Sequence, residues 1–107
     1  MAASPLQRAK FAYAERRRRD QEIAGSDIFG EPTWDVLLVL FIATQEGRIV
    51  ALPTLLSAIA APPTTTIRWL KVLETKGFVD PIYQNAKHQS IVTLSKDGNL
   101  TMLKYFR

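Results

Sequence analysis

The segment "PPTTTIRWLKVLETKGFVD", residues 62–80, decides the fold of this chain. Its two prolines end one helical pattern and prepare the next, because proline tolerates the first helical position, where an N–H would have no partner. Three threonines follow, and Gly77 ends the helix before an apolar pair. Free backbone amides, the positive end of a helix dipole and hydroxyl groups together suit phosphate binding. The segment therefore predicts a basic helix over residues 64–76 whose first turn suits an anionic partner.

The two sides of this predicted helix differ in character. One side carries apolar residues that would anchor the helix: Trp69, Leu70 and Leu73. Arg68 and Lys71 lie on or near the opposite side, one turn after the threonines, where they would reach base edges or phosphates. Ile67 and Val72 widen the apolar arc, so the sequence leaves open by one position which threonines face outward.

Two helical patterns precede this segment. "TWDVLLVLFIATQEG", residues 33–47, is the most apolar stretch and predicts the central core helix, with Asp35 in its first turn and Gly47 at its end. The β-branched stretch Arg48 to Ala51 predicts a brief edge strand, and Pro53 opens a second, short helix. A short helix, a tight turn and a basic helix are thus expected in succession.

A β-hairpin and a final helix are predicted downstream. Phe78 to Ile82 and Ser90 to Leu94 have the pattern of two strands, joined by the loop Tyr83 to Gln89. That loop offers Lys87 and His88 as possible cations and Asn85 as a hydrogen-bonding side chain. Ser95 is positioned to cap a last helix.

The first 24 residues carry most of the excess positive charge. They contain six basic and three acidic side chains, whereas the whole chain has a net charge of +4. Ser4, Pro5 and Gln7 predict a capped helix start, and Gly25 predicts its end. Its apolar face is interrupted at Arg16 and beyond, so we expect it to border a partner subunit or an anionic surface rather than its own domain. A solvated arm is the alternative, and the sequence leaves open whether Arg16 to Arg19 contact DNA.

Composition narrows the function classes. A chain of 107 residues, 47% of them hydrophobic, suits one compact body, which we divide into a basic N-terminal helix (1–25) and a main domain (26–107). Cysteine is absent and a single histidine is present, so no metal site and no cofactor are predicted. No glycine-rich phosphate loop or catalytic constellation is recognisable, so no enzymatic activity is expected. No signal peptide or membrane-spanning pattern is recognised, and we expect a cytoplasmic protein, nucleoid-associated if it is a bacterial regulator.

From Trp34 onward the chain resembles the winged helix-turn-helix proteins, and more narrowly the MarR-type transcriptional regulators. The resemblance lies in "TLLSAIAAPPTTTIRWLKVLETKGFV" (54–79), in its ending "LETKGFV", and in "VTLSKDG" (92–98), which is similar to the family's "LTxxG" element. It implies a mainly helical α+β fold, a winged helix-turn-helix with a small β-hairpin wing and, here, an N-terminal extension helix. In that family the second helix of the motif lies in the DNA major groove, the wing touches the minor groove, and terminal helices form a homodimer.

The resemblance implies a sequence-specific regulator that binds double-stranded DNA as a homodimer. The expected DNA contacts are Thr64, Thr65, Thr66, Arg68, Lys71, Asn85, Lys87 and His88. The expected dimer contacts are Leu6, Ala9, Tyr13, Leu103 and Phe106. The family also suggests a small-molecule effector, for which Trp34, Tyr13 and Phe29 are possible lining residues, although a core role suits these aromatics as well. Because the wing is poor in arginine, a protein-binding winged helix without specific DNA binding is the alternative.

Overall fold

Helices dominate the computed structural model, which describes residues 3–22 and 32–107. The elements in chain order are α1 (Pro5–Glu22), α2 (Thr33–Gln45), β1 (Val50–Ala51), α3 (Leu52–Ala58), α4 (Pro63–Thr75), β2 (Tyr83–Gln84), β3 (Ser90–Val92) and α5 (Lys96–Phe106). The predicted mainly helical α+β class is confirmed. Among the described helices, none combines the length and hydrophobicity needed to cross a bilayer.

The core forms around α2, as its apolar sequence predicts. Val36, Leu38 and Phe41 of this helix are fully buried, and helices α1, α3, α4 and α5 all pack against it. The ring of Phe41 stacks on that of Phe106 from α5, with centroids 5.8 Å apart. Each large apolar side chain buried in this way stabilises the fold by about 1.5–3 kcal/mol. Helix α2 is therefore the scaffold on which the other helices are positioned.

The three strands form one antiparallel sheet in the order β1-β3-β2. The central strand β3 pairs Val92 with Val50 and Ile91 with both Ala51 and Tyr83. Ile91 and Val92 are both buried, so the two faces of β3 are covered. The edge strand predicted over residues 48–51 is present but is confined to Val50–Ala51.

The first strand of the wing is shorter than predicted. Within residues 78–82 only Val79 forms a β-bridge, with Leu94, and the ladder resumes at Tyr83–Gln84. Pro81 explains the interruption, because proline has no N–H to donate to a ladder. Part of the predicted loop 83–89 is therefore strand, and the loop proper begins at Asn85.

The starts of α1 and α5 and the end of α4 follow the capping signals in the sequence. The Gln7 backbone N–H donates to Ser4 Oγ at 3.1 Å, and Gln7 Oε1 accepts from the Ser4 N–H at 2.9 Å, which is the predicted capping box. Ser95 caps α5 by accepting from the Gly98 N–H at 2.9 Å. Gly77 ends α4 with a positive φ of 83°, a conformation that favours glycine. The end predicted for α1 at Gly25 lies outside the described residues.

Helix α1 packs on the rest of the chain, which corrects the expectation that it gains little from its own domain. Ala9 is fully buried, and the Tyr13 hydroxyl donates to the Ala58 carbonyl of α3 at 2.7 Å. The inward-facing Arg16 forms a salt bridge with the buried Asp35 of α2. The apolar face of α1 is thus completed by an ion pair, which the sequence of α1 alone does not reveal.

Candidate nucleic-acid interface

One face of α4 is exposed along its whole length. Its residues recur at helical spacing, and we call them the outer face of α4: Thr64, Ile67, Arg68, Lys71 and Thr75. Residues three and four apart on a helix lie one above the other, so these five side chains form a continuous stripe. Leu70 and Leu73 lie on the opposite side and are buried in the core. The core therefore fixes the rotation of α4, and with it the orientation of the outer face.

The three threonines of the first turn have three different environments. Thr64 is exposed, Thr65 is half-buried, and Thr66 is fully buried with no hydrogen-bond partner for its hydroxyl. Thr66 precedes Leu70 by four residues, which places it on the core side of α4. The expected DNA contact of Thr66 needs correction, because the residue has no exposed surface. The burial of Thr66 therefore shows which threonines face outward, a point that the sequence left open by one position.

The charged side chains of the outer face are not engaged within the chain. Neither the Arg68 guanidinium nor the Lys71 ammonium forms an ion pair or hydrogen bond with any residue in the described ranges. Both side chains are exposed. Each can therefore turn toward an anionic partner without breaking an interaction that stabilises the fold.

An open groove separates α4 from the segment that leads into the wing. Its volume is about 860 Å³, and Ile67 of α4 and Pro81 and Ile82 of the wing segment contribute apolar lining. Arg68 and Lys71 border the same groove. The outer face of α4 thus combines a basic and an apolar surface.

Asn85 organises the tip of the wing. Its Oδ1 accepts from the backbone N–H groups of Lys87 and Gln89 at 3.0 and 2.9 Å, and its Nδ2 donates to Gln89 Oε1 at 3.0 Å. His88 has a positive φ of 61°, which closes the turn in a conformation that few non-glycine residues adopt. Lys87 and His88 are exposed at this tip. Asn85 is half-buried and positions the tip, a role that the sequence did not indicate.

A tight contact joins the end of α4 to the start of α5. Ser95 Oγ donates to the Gly77 carbonyl at 2.6 Å, and the Ser95 backbone N–H donates to the Phe78 carbonyl at 3.0 Å. Gly98 packs so closely on this turn that a Cβ atom there would lie 2.1 Å from the Phe78 carbonyl oxygen. This structural role of Gly98, the last residue of the "VTLSKDG" motif, was not predicted from the sequence. This contact holds α4 at its C-terminal end.

Comparison with solved structures identifies the architecture. MepR, a transcription regulator of the Staphylococcus aureus multidrug efflux pump MepA, superposes with a TM-score of 0.60 at 18% identity, over 91% of this chain and 68% of MepR. AF1382 from Archaeoglobus fulgidus superposes with a TM-score of 0.61 at 15% identity, over 69% of this chain and 79% of AF1382. This chain has the winged helix-turn-helix fold. No family profile and no curated protein sequence matches it. The fold implied by the sequence resemblance to MarR-type regulators is confirmed.

The residues expected at a dimer interface all lie in or against the core of the winged-helix chain. Ala9 and Phe106 are buried, with exposed fractions of 0% and 6%. Leu6, Tyr13 and Leu103 are half-buried and pack on the same core. Ala9 and Phe106 therefore offer almost no surface to a second subunit, whereas the other three residues retain some.

The aromatic residues considered for an effector site do not form one cluster. Tyr13 lines a cavity of about 420 Å³ between α1, α2 and α3, and burial raises the pKa of its phenol. Trp34 instead packs edge-to-face on Tyr105 and stacks on Phe106, with centroids 5.0 and 6.0 Å away. Phe29 lies outside the described residues. Effector binding stays a prediction.

Across residues 3–22 and 32–107, no group of three potential metal-ligating side chains converges.

Proposed function

We propose that this chain is a homodimeric, sequence-specific DNA-binding transcription regulator without enzymatic activity. The observation that carries the proposal is the outer face of α4, on which Arg68 and Lys71 are exposed, unpaired within the described ranges and held opposite the core. The similarity of the fold to MepR, a transcription regulator, supports it. In this proposal α4 occupies the major groove and the wing contacts the backbone or the minor groove.

The chemistry of the outer face suits the major groove. B-DNA presents a groove about 12 Å wide, which accepts one α-helix. The planar guanidinium of Arg68 can donate two parallel hydrogen bonds to O6 and N7 of a guanine, whereas Lys71 offers a point charge for a phosphate. Thr64, exposed in the first turn, adds a hydroxyl beside the free amides of the helix start. The half-buried Thr65 is a secondary candidate on the same turn.

The wing supplies a second, weaker contact in this proposal. Lys87 and His88 are exposed at a tip that the Asn85 side chain holds in shape. A single lysine at the tip is suited to a phosphate, and phosphate contacts set orientation without reading sequence. We therefore assign sequence preference to α4 and backbone attachment to the wing.

Dimer formation would use the exposed parts of α1 and α5. Leu6, Tyr13 and Leu103 keep partial exposure on α1 and α5, and we propose that a partner subunit covers them. A symmetric dimer binds two half-sites related by a two-fold axis, so the preferred DNA sequence would be palindromic. A cytoplasmic location accords with this role.

The proposal is tested by selecting the purified protein against a random-sequence duplex pool and measuring affinity for the enriched site. Arg68→Ala is expected to cost about 1–3 kcal/mol of specific binding, and Arg68→Lys to recover little of it if the arginine reads a base bidentately. Lys104→Ala is a matched control, because Lys104 is exposed on α5. Enrichment of a palindrome that depends on Arg68 supports the proposal. Absence of any enriched sequence contradicts it.

A further inference from the structure

We propose that Ile67 reads a thymine, by placing its aliphatic side chain against the C5-methyl group of that base in the major groove. The inference rests on the proposed DNA-binding function and adds to it the chemical class of one base in the half-site. It concerns a residue that the sequence pattern assigned only to the apolar arc of α4.

The placement of Ile67 is the first observation. Ile67 is 44% exposed in the middle of the outer face of α4, whereas the other exposed isoleucines of the described residues, Ile49 and Ile82, lie outside this helix. Thr64 lies one turn before it, and Arg68 and Lys71 follow it on the same face. The outer face of α4 therefore carries an exposed apolar side chain among residues that can bind phosphates or the polar edges of base pairs.

The chemistry of the DNA major groove favours one base, thymine, beside Ile67. The thymine C5-methyl group is an apolar feature of the base-pair edges in the major groove, whereas cytosine carries only hydrogen at C5 and presents an N4 amino group where thymine presents O4. An isoleucine cannot pair with that amino group, so it favours thymine over cytosine. Isoleucine is also stiff about χ1, so contact with a base costs little side-chain entropy.

The charges on the outer face of α4 favour DNA over an apolar protein partner at Ile67. Arg68 and Lys71 follow Ile67 on the outer face of α4 and have no ion pair within the described part of the chain. A purely apolar partner would bury both charges without compensation, which is costly, whereas DNA supplies phosphates and guanine acceptors beside its methyl groups.

The position of Ile67 also predicts where the thymine lies. Consecutive helical residues are separated by a rise of about 1.5 Å, and stacked base pairs by about 3.4 Å. Ile67 and Arg68 are adjacent, so they reach the same base step or neighbouring ones. The thymine is expected within about two base pairs of the guanine that Arg68 contacts.

The experiment replaces each thymine of the selected site by uracil, one position at a time, which removes only the methyl group. With the unaltered protein, one position in each half-site is expected to lose about fourfold in affinity, since a buried methyl-sized group contributes about 0.8 kcal/mol. Ile67→Ala is expected to bind the thymine and uracil duplexes equally at that position. Ile82→Ala is the matched control, because Ile82 is similarly exposed on the other side of the same groove, and it should keep the fourfold difference.

The outcomes separate this inference from the proposed function. Specific binding in which no uracil position responds to Ile67→Ala overturns the thymine contact and leaves the regulator proposal standing. A uracil effect that Ile82→Ala abolishes and Ile67→Ala preserves also overturns it. Failure to enrich any sequence overturns both, and the absence of a selected site distinguishes that result from the first.

Discussion

Helices α1 and α4 are both basic, but they use their charges differently. In α1, Arg16 pairs with Asp35 and Lys10 pairs with Glu46 at 2.6 Å. The Arg8 guanidinium donates to the backbone oxygens of Phe106 and Arg107 at 3.3 and 3.1 Å. On α4, Arg68 and Lys71 have no such partner in the described chain. A count of charges along a sequence therefore locates charge but does not show which charges remain available to a partner.

This difference has an energetic consequence for binding. A DNA phosphate that recruits Arg16 must compete with a buried carboxylate, and breaking a buried ion pair leaves an uncompensated charge. A phosphate or base that recruits Arg68 competes only with water. The paired cations Arg8, Lys10 and Arg16 of α1 are therefore poorer candidates for a DNA contact than Arg68 and Lys71 of α4.

The largest effect is expected from Gly98→Ala, which disturbs the support of α4 and leaves its charges intact. The new Cβ would lie 2.1 Å from the Phe78 carbonyl oxygen, so the turn after α4 must move. We expect a loss of about 3 kcal/mol in the free energy of unfolding, measured by urea denaturation. Thr101→Ala, an exposed change on the same helix, is the control and should have little effect. An unchanged stability of Gly98→Ala would show that α4 is not held by this contact.

A smaller effect is expected from Asp35→Asn, which removes the partner of Arg16 and tests the attachment of α1. Arg16 then loses its counter-charge, and we expect a loss of about 2 kcal/mol in the free energy of unfolding, less than the roughly 3–5 kcal/mol of a fully buried pair because Arg16 is partly exposed. Hydrogen exchange should show faster exchange of α1 amides, with those of α4 little changed. Glu15→Gln is the control, because the Arg18–Glu15 pair is exposed and such pairs contribute roughly 0–1 kcal/mol. Equal losses in the free energy of unfolding for the two variants would show that the Arg16–Asp35 pair contributes no more than an exposed ion pair.

The smallest effect concerns the acid dependence of the Lys10–Glu46 contact between α1 and the end of α2. Hydrogen bonds from Lys10 and, next, from Arg48 lower the pKa of Glu46. A lowered pKa in the folded state means that the contact stabilises the fold above the usual carboxyl pKa of about 4.3 and is lost as pH falls through the lowered value. An NMR titration should place the Glu46 midpoint below that value, and Lys10→Ala should raise it. If Lys10→Ala left the Glu46 titration midpoint unchanged, the contact with Lys10 would not be the cause of the lowered pKa.

Features that depend on near neighbours in the chain were predictable from the sequence. The capping box of Ser4 and Gln7, the Ser95 cap and the glycine end of α4 each involve residues within a few positions of one another. The buried α2 was equally predictable, because an apolar run with helical length has few alternatives. These local signals predicted the order of the helices, and the resemblance to winged helix-turn-helix proteins implied the fold that they form.

Features that depend on distant residues were not predictable in the same way. The inward position of Arg16 makes sense only with Asp35, which comes from another helix. The burial of Thr66 depends on the rotation of α4 about its axis, and one residue changes that rotation by about 100°. Gly98 is needed because the Phe78 carbonyl approaches it from another part of the chain. The candidate site was thus predicted as a helix face but not residue by residue.

The measurement that tests the central claim most directly is the salt dependence of DNA affinity for two matched double variants. Arg68→Ala/Lys71→Ala removes two charges from α4, and Lys10→Ala/Arg18→Ala removes two exposed charges from α1. Each phosphate contact contributes about 0.9 to the slope of log affinity against log salt concentration. Because Lys71 is assigned to a phosphate and Arg68 to a guanine, we predict that the α4 variant flattens this slope by about 0.9 per subunit, and that the α1 variant leaves it unchanged. A slope flattened by the α1 variant and unaffected by the α4 variant would contradict the assignment of α4 as the DNA-contacting helix.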